Sequence, residues 1–352
     1  MRSPRIISLV LAALLMIPAL AMGAAMPSSA FAQAECTIEG FTDSPIEIMA
    51  PAAPGGGWDT TAREMQRVLQ EEGIVPTVEV YNVEGAGGTI GIAQLVNDEA
   101  GNDHHLMMMG LVMIGAIATN QSPVTLEQTT PIASLTAEYE VIVVPADSEY
   151  QTLDDLIAAF QADPTAISWG GGSAGGTDHI LVGLIAQATG VDPTQINYVP
   201  FSGGGEALAA ILGGQVSAGV SGVGEWLDQI ESGELRALAV SGASEGGDAT
   251  PAAGGATPMA GVAQIAPTLQ EQGIDVELAN WRGVVAPPDI SEEGRQCLIA
   301  IVEQMTASDA WAETRATYGW QDFSTVGDEF GELLASERER VIELLRGFGL
   351  VA

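Results

Sequence analysis

Four glycine-rich loops constrain this chain more than any other feature. They are Pro54-Gly55-Gly56-Gly57-Trp58-Asp59-Thr60, Glu84-Gly85-Ala86-Gly87-Gly88-Thr89, Gly172-Ser173-Ala174-Gly175-Gly176-Thr177 and Ser202-Gly203-Gly204-Gly205. Each follows a short apolar run and precedes a stretch of helical periodicity. Residues 46–50, 78–81 and 106–109 read as strands, and so do 166–169, 196–199 and 216–220. The spacing predicts a helix over 59–71, with Ala62, Met65, Val68 and Leu69 on one face and Asp59 or Thr60 as N-cap. Further helices are predicted from 89, over 177–189 and over 207–212. The order strand, glycine loop, helix, strand, glycine loop, helix, strand thus occurs twice, too few copies for a solenoid. It predicts an α/β chain of two lobes, each a parallel sheet covered on both faces. Two extended segments, 132–145 and 276–288, are the expected crossover strands. They divide the chain into lobe one, residues 37–137 plus 280–352, and lobe two, residues 138–279. The mostly helical stretch 292–350 returns to lobe one, and 241–261, rich in small residues, reads as a surface loop.

The loops also carry the chemistry. Glycine lets the backbone turn sharply and approach a ligand closely. A following helix presents free N–H groups and the positive end of its dipole, which together favour anions. In open α/β sheets such loops sit at the carboxyl ends of the strands, where ligands bind. Four of them facing one cleft predict a small molecule bearing carboxylates. The expected binding residues are Gly55, Gly56, Gly57, Trp58 and Thr60 from the first loop, and Gly87, Gly88 and Thr89 from the second. The others contribute Ser173, Gly175, Gly176, Thr177 and Gly204. Asp59 reads as a cap that orients its loop, or as a partner for a ligand hydroxyl or water. Arg282 offers a bidentate fork to a carboxylate, or a hinge salt bridge. Arg63 has the same two readings. Tyr139 offers a hydroxyl or packs at the rim, and His179 is a supporting donor or a cap.

Composition removes several classes of function. The 352 residues contain 46 Asp and Glu against 11 basic residues, a formal charge of −35. Every basic residue is Arg, so a Walker loop and lysine Schiff-base chemistry are excluded. A field this negative opposes binding to nucleic acid or anionic lipid. Gly171-Gly172-Ser173-Ala174-Gly175 fits the nucleophile-elbow pattern, but that pattern needs an acid and then a histidine downstream of the serine. The histidines are His104, His105 and His179, and the last stands only six residues beyond Ser173. Ile90 occupies the last glycine position of a dinucleotide fingerprint. His104-His105, beside Asp103, lack ligand spacing and read as a solvated loop end. The expectation is a chain without catalysis, metal or cofactor.

Arg2 and Arg5, the apolar run 6–21 and the Ala30-Phe31-Ala32 cleavage pattern mark residues 1–32 as a signal peptide rather than an anchor. Its removal makes the protein two charges more negative. The expected location is periplasmic or extracytoplasmic, in solution. Export permits a Cys36–Cys297 disulfide. The alternative is a lipidated Cys36, against which Gln33-Ala34-Glu35 lacks the small residue expected just before a lipidated cysteine.

Several stretches together resemble a known family: APAAPGGGWDTTAR from Ala50, NVEGAGGTIG from Asn82, GGGSAGGTDH from Gly170, YVPFSGGGEAL from Tyr198, GGQVSAG from Gly213 and NWRGVVAPP from Asn280. In this set and order they look like the periplasmic solute receptors of tripartite tricarboxylate transporters, the TctC or Bug receptors. The resemblance implies a type II periplasmic-binding-protein (Venus-flytrap) fold and no catalysis. It implies a carboxylate held by main-chain groups, hydroxyls and ordered water, and a monomer that delivers it to a membrane permease of one large and one small subunit. Trp58 and Arg282 look more like the tricarboxylate, citrate-like branch than the amino-acid branch. The lack of lysine and the stretch 241–261 depart from the family pattern, and the acidic composition suggests a saline habitat. The competing readings are a secreted α/β hydrolase using Ser173 and a carboxylate sensor for a membrane signalling partner.

Overall fold

Each apolar run between the glycine loops forms a strand in the computed structural model, which describes residues 36–242 and 265–351. The expected signal segment and most of the expected 241–261 loop lie outside the described residues. The first half of the chain runs β1 (Ile46–Ala50), α1 (Gly57–Glu71), β2 (Val78–Asn82), α2 (Thr89–Asp98), β3 (His105–Gly110), α3 (Leu111–Thr119) and the long β4 (Thr130–Pro145). It continues through α4 (Leu153–Ala162), β5 (Ser168–Gly171), α5 (Thr177–Ala188), β6 (Asn197–Pro200), α6 (Gly204–Leu212), β7 (Ala218–Gly222), α7 (Val223–Glu231) and β8 (Leu235–Val240). The last part comprises β9 (Ala279–Ala286), α8 (Glu292–Thr306), α9 (Asp309–Tyr318), the two-residue β10 (Gln321–Asp322) and α10 (Gly327–Gly347).

The strands form a mixed sheet in the order β2-β1-β3-β9-β4-β7-β5-β6, with β8 and β10 also paired to β4. The expectation of purely parallel sheets is corrected here. β1, β2 and β3 are parallel to one another, as are β5, β6 and β7, but β4 and β9 run antiparallel to their neighbours. The two connecting segments are therefore interior strands. The first half of β4 pairs with β9 as far as Tyr139↔Ala279, and from Glu140↔Gly222 onward it pairs with β7. One strand thus serves both halves of the sheet, and the changeover falls between residues 139 and 140.

Burial explains the elements. β3 is apolar apart from His105 and lies wholly buried between β1 and β9. In α1 the buried positions Trp58, Thr61, Ala62, Met65, Val68 and Leu69 recur at helical spacing. Its N-cap is Gly56, earlier than the expected Asp59 or Thr60, because the glycines adopt the cap geometry themselves. It ends at Gly73, where φ is 68° and the amides of Gly73 and Ile74 donate to Gln70 and Leu69 carbonyls in a Schellman closure. Cys36 and Cys297 form a disulfide that pins the start of the described chain to the buried face of α8. Among the described residues no helix is long and apolar enough to cross a membrane.

Candidate functional site

The glycine loops converge on one cavity of about 960 Å³. Of the expected binding residues, Gly55, Gly56, Gly57, Trp58, Gly87, Gly88, Ser173, Gly176, Thr177, Gly204 and Arg282 line it. All four loops contribute, together with α3 and β9.

Asp59, Thr60, Thr89, Tyr139 and Gly175 stand outside the lining, each for a local reason. Asp59 is buried and accepts from the Gly55 amide at 2.7 Å, Arg63 Nε at 2.9 Å and Asn82 Nδ2 at 2.9 Å. It holds the loop in shape. Burial pushes its carboxyl up, but those hydrogen bonds outweigh it and hold the group below the usual range. Arg63 is committed to this pair. The Thr60 amide donates to Gly56 at 2.9 Å inside α1. Thr89 donates its hydroxyl to the Ala86 carbonyl at 3.0 Å. Tyr139 is buried at the sheet changeover, its ring against Gly242. The Gly175 amide donates to His179 Nδ1 at 3.1 Å, so His179 is an acceptor rather than a donor there. Its ring stacks on Tyr198 with centroids 4.0 Å apart, and desolvation lowers its pKa to about 4, leaving it neutral. The expected solvated pair His104-His105 is also corrected. His104 stacks on Phe41, and His105 is fully buried.

Close approach explains two glycines. A Cβ on Gly57 would lie 2.6 Å from Arg282 Nη2, so the first loop must be bare where the guanidinium passes. A Cβ on Gly115 of α3 would lie 1.9 Å from the Gly175 carbonyl oxygen. There α3 and the β5–α5 loop meet backbone to backbone, on one side of the cavity.

The electrostatics differ from a plain anion receptor. Several helix N-termini are already supplied with a carboxylate from their own first turn. Asp59 takes the Gly55 amide, Asp178 the Gly172 amide at 2.6 Å, Glu206 the Ser202 amide at 3.1 Å, and Glu225 the Ser221 hydroxyl. Four acids gather here: Asp178 and Glu225 line the cavity, and Glu138 and Glu140 are buried on β4. Arg282, itself buried, is bound to Glu138. Glu140 is fully buried, and neither of its oxygens has a donor. It faces Asp178, with which it bonds only when the pair carries a proton. Desolvation, and then Asp178, Glu138 and Glu225, push Glu140 well above the usual range. Desolvation raises Asp178 to about 6 against the pull of the Gly172 amide. Glu225 is reachable from the cavity, yet the surrounding protein strips its solvation. That, and then Glu138 and Asp178, raise it to about 7.

Sequence reasoning missed these acids. A signal for two of them was present: Glu138 and Glu140 stand on one parity of a strand, between Ala137, Tyr139 and Val141, so both face the same side of the sheet. Nothing local marks Asp178 or Glu225 as their neighbours, nor Val112, Ala116 and Asn120 as lining residues.

A family model for the tripartite tricarboxylate transporter family receptor, TctC, matches residues 61–350. The chain belongs to this family. BugT of Bordetella pertussis is 28% identical over 310 residues, which cover 87% of this chain and 89% of that protein. The fold is shared with the periplasmic binding protein BugD (TM-score 0.71, 22% identity, 87% of this chain and 98% of that one). It is also shared with MatC from Rhodopseudomonas palustris, solved with bound malate (TM-score 0.69, 22% identity, 86% and 98%). A second R. palustris protein, solved with adipate, gives a TM-score of 0.74 at 21% identity, covering 87% and 97%. TctC receptors are periplasmic substrate-binding proteins, not enzymes.

Proposed function

We propose that this receptor captures a small di- or tricarboxylate, citrate-like in its charge, between two lobes and delivers it to a tripartite permease of one large and one small membrane subunit. The observation that carries the reading is the convergence of four glycine loops and Arg282 on one cavity of about 960 Å³. That volume lies at the upper end of the usual range for small-molecule sites. The lobes are residues 37–137 with 280–352, and 138–279, hinged where β4 and β9 pass from one to the other. The first-turn amides of α1, α5 and α6 have no acceptor within their helices and meet the ligand's oxygens. Ser173 and Thr177 add hydroxyls. Glu225, raised to about 7, carries a proton part of the time at neutral pH and then donates a hydrogen bond to a carboxylate. At long range the acidic protein repels such a ligand, but in physiological salt that repulsion is screened beyond about 8 Å. Residues 1–32 serve as the export signal, and the protein acts as a monomer. The fold neighbours solved with malate and adipate favour this ligand class.

A thermal-shift screen tests it. Citrate, malate, adipate and related acids are compared with amino acids, sugars and neutral amides. At least one carboxylate raises the melting temperature saturably, because binding to the folded state alone stabilises it. A screen in which only uncharged or cationic compounds do so refutes the reading.

A further inference from the structure

We propose that Glu47, Glu99 and His105 form a binding site for a divalent transition-metal ion of the Zn²⁺ class, at the end of the sheet opposite the ligand cavity. Glu47 lies near the start of β1, His105 opens β3, and Glu99 caps the end of α2. Because β1 and β3 are parallel and their carboxyl ends lead into the cavity, their starts lie at the far end. Parallel pairing puts Glu47 directly beside His105, with both side chains on one face. One ligand atom from each of the three residues lies within 4.8 Å of the others.

The imidazole supplies the second observation. His105 is fully buried, and its Nδ1 has no hydrogen-bond partner. Glu99 Oε2 stands 3.2 Å from that nitrogen as an ion-pair contact without the alignment of a hydrogen bond, and it also accepts from Asn102 Nδ2 at 3.0 Å. Two ligands each about 2.0–2.2 Å from a shared ion stand about 3.0–3.6 Å apart, so this separation suits joint coordination. The other ring nitrogen, Nε2, is 2.9 Å from the Tyr81 hydroxyl. With Nε2 protonated and donating to Tyr81, the Nδ1 lone pair points at the carboxylates. An outer partner that fixes the tautomer in this way is a regular companion of a ligating histidine. Register also sets Glu79 beside Glu47 on the neighbouring strand. Among the described residues, no arginine forms an ion pair with Glu47, Glu79 or Glu99. Two carboxylates and an imidazole suit Zn²⁺ or Co²⁺, whereas Ca²⁺ prefers oxygen alone. The bound ion clamps β1, β3 and the end of α2 together and takes no part in the cavity.

The test uses chelator-stripped full-length protein in high salt, which screens diffuse attraction to an acidic surface. Calorimetric titration with Zn²⁺ shows one saturable site per chain, and Co²⁺ gives a visible absorption band. Glu47→Gln and Glu99→Gln each weaken Zn²⁺ at least tenfold, and Glu47→Gln leaves the carboxylate thermal shift of the cavity unchanged. Should His105→Gln fail to fold, the two glutamine variants still decide the matter. Binding that is not saturable, is matched by Ca²⁺, or is unaltered in both glutamine variants overturns the proposal.

Discussion

Arg282 holds the least replaceable charge in the cleft. Its partner Glu138 and the neighbouring Glu140, Asp178 and Glu225 would otherwise face one another with no cation between them. Removing one member of a buried pair leaves the other desolvated and unpaired, at a cost of about 3–5 kcal/mol. Arg282→Gln is expected to lose that much unfolding free energy in urea at neutral pH. Glu138→Gln loses less, since it leaves the guanidinium among three remaining acids, and the double variant recovers part of the Arg282→Gln loss. The same acids set a pH dependence. Asp178 (about 6) and Glu225 (about 7) are raised by folding, so their protonated forms favour the folded state. Stability is therefore lost as pH rises through 6–7 and regained on acidification towards the ordinary carboxylate range. Asp59 and Glu99 are lowered and act with the opposite sign in more acidic solution, and His179, lowered to about 4 by burial, opposes part of the climb already below about pH 6.5. Melting temperatures from pH 8 to pH 5 should climb, and Glu225→Gln should flatten the upper part of the climb. A flat wild-type profile would contradict the raised values.

At the scale of elements, the side of the cavity depends on how closely α3 and the β5–α5 loop meet. Val112 lies against Gly176, the Thr119 hydroxyl is 3.3 Å from the Ala174 carbonyl, and Gly115 faces the Gly175 carbonyl. Alanine at 115 favours α3 as a helix by about 1 kcal/mol. It also places a carbon 1.9 Å from a main-chain oxygen, which no rotamer change relieves. The clash wins wherever the two elements touch, with a cost of about 1–3 kcal/mol for overpacking. Gly115→Ala is therefore expected to reduce the melting shift produced by a saturating carboxylate while retaining native helix content by circular dichroism. A ligand shift equal to wild type would show that this contact is not needed for binding.

For the molecule as a whole, the disulfide joins residues 261 apart in sequence and ties the first described residue to α8. Loop closure on that scale restricts the unfolded chain, and loss of a native disulfide typically costs about 2–5 kcal/mol. Reduction, or a Cys36→Ser/Cys297→Ser double variant, should lower the urea midpoint accordingly and leave ligand affinity intact. The strand that binds the molecule together is β4. It carries β9 and β10 on one part of its length and β7 and β8 on the other, so any movement of one half against the other must bend it near Tyr139.

Local rules were enough to locate the glycine loops, the strands before them and the helices after them, because turn geometry and the periodicity of apolar residues are written within a few positions. They also marked Arg282 and part of the glycine-loop lining of the cavity. They did not show that the connecting segments become antiparallel interior strands, because pairing direction depends on partners more than a hundred residues away. The sequence could not reveal that loop amides are already engaged by Asp59, Asp178 and Glu206, or that Glu138, Glu140, Asp178 and Glu225 gather under one arginine. Burial and charge proximity arise only when separate elements pack. For the same reason His105, which reads as half of an exposed pair, became a buried imidazole between two carboxylates.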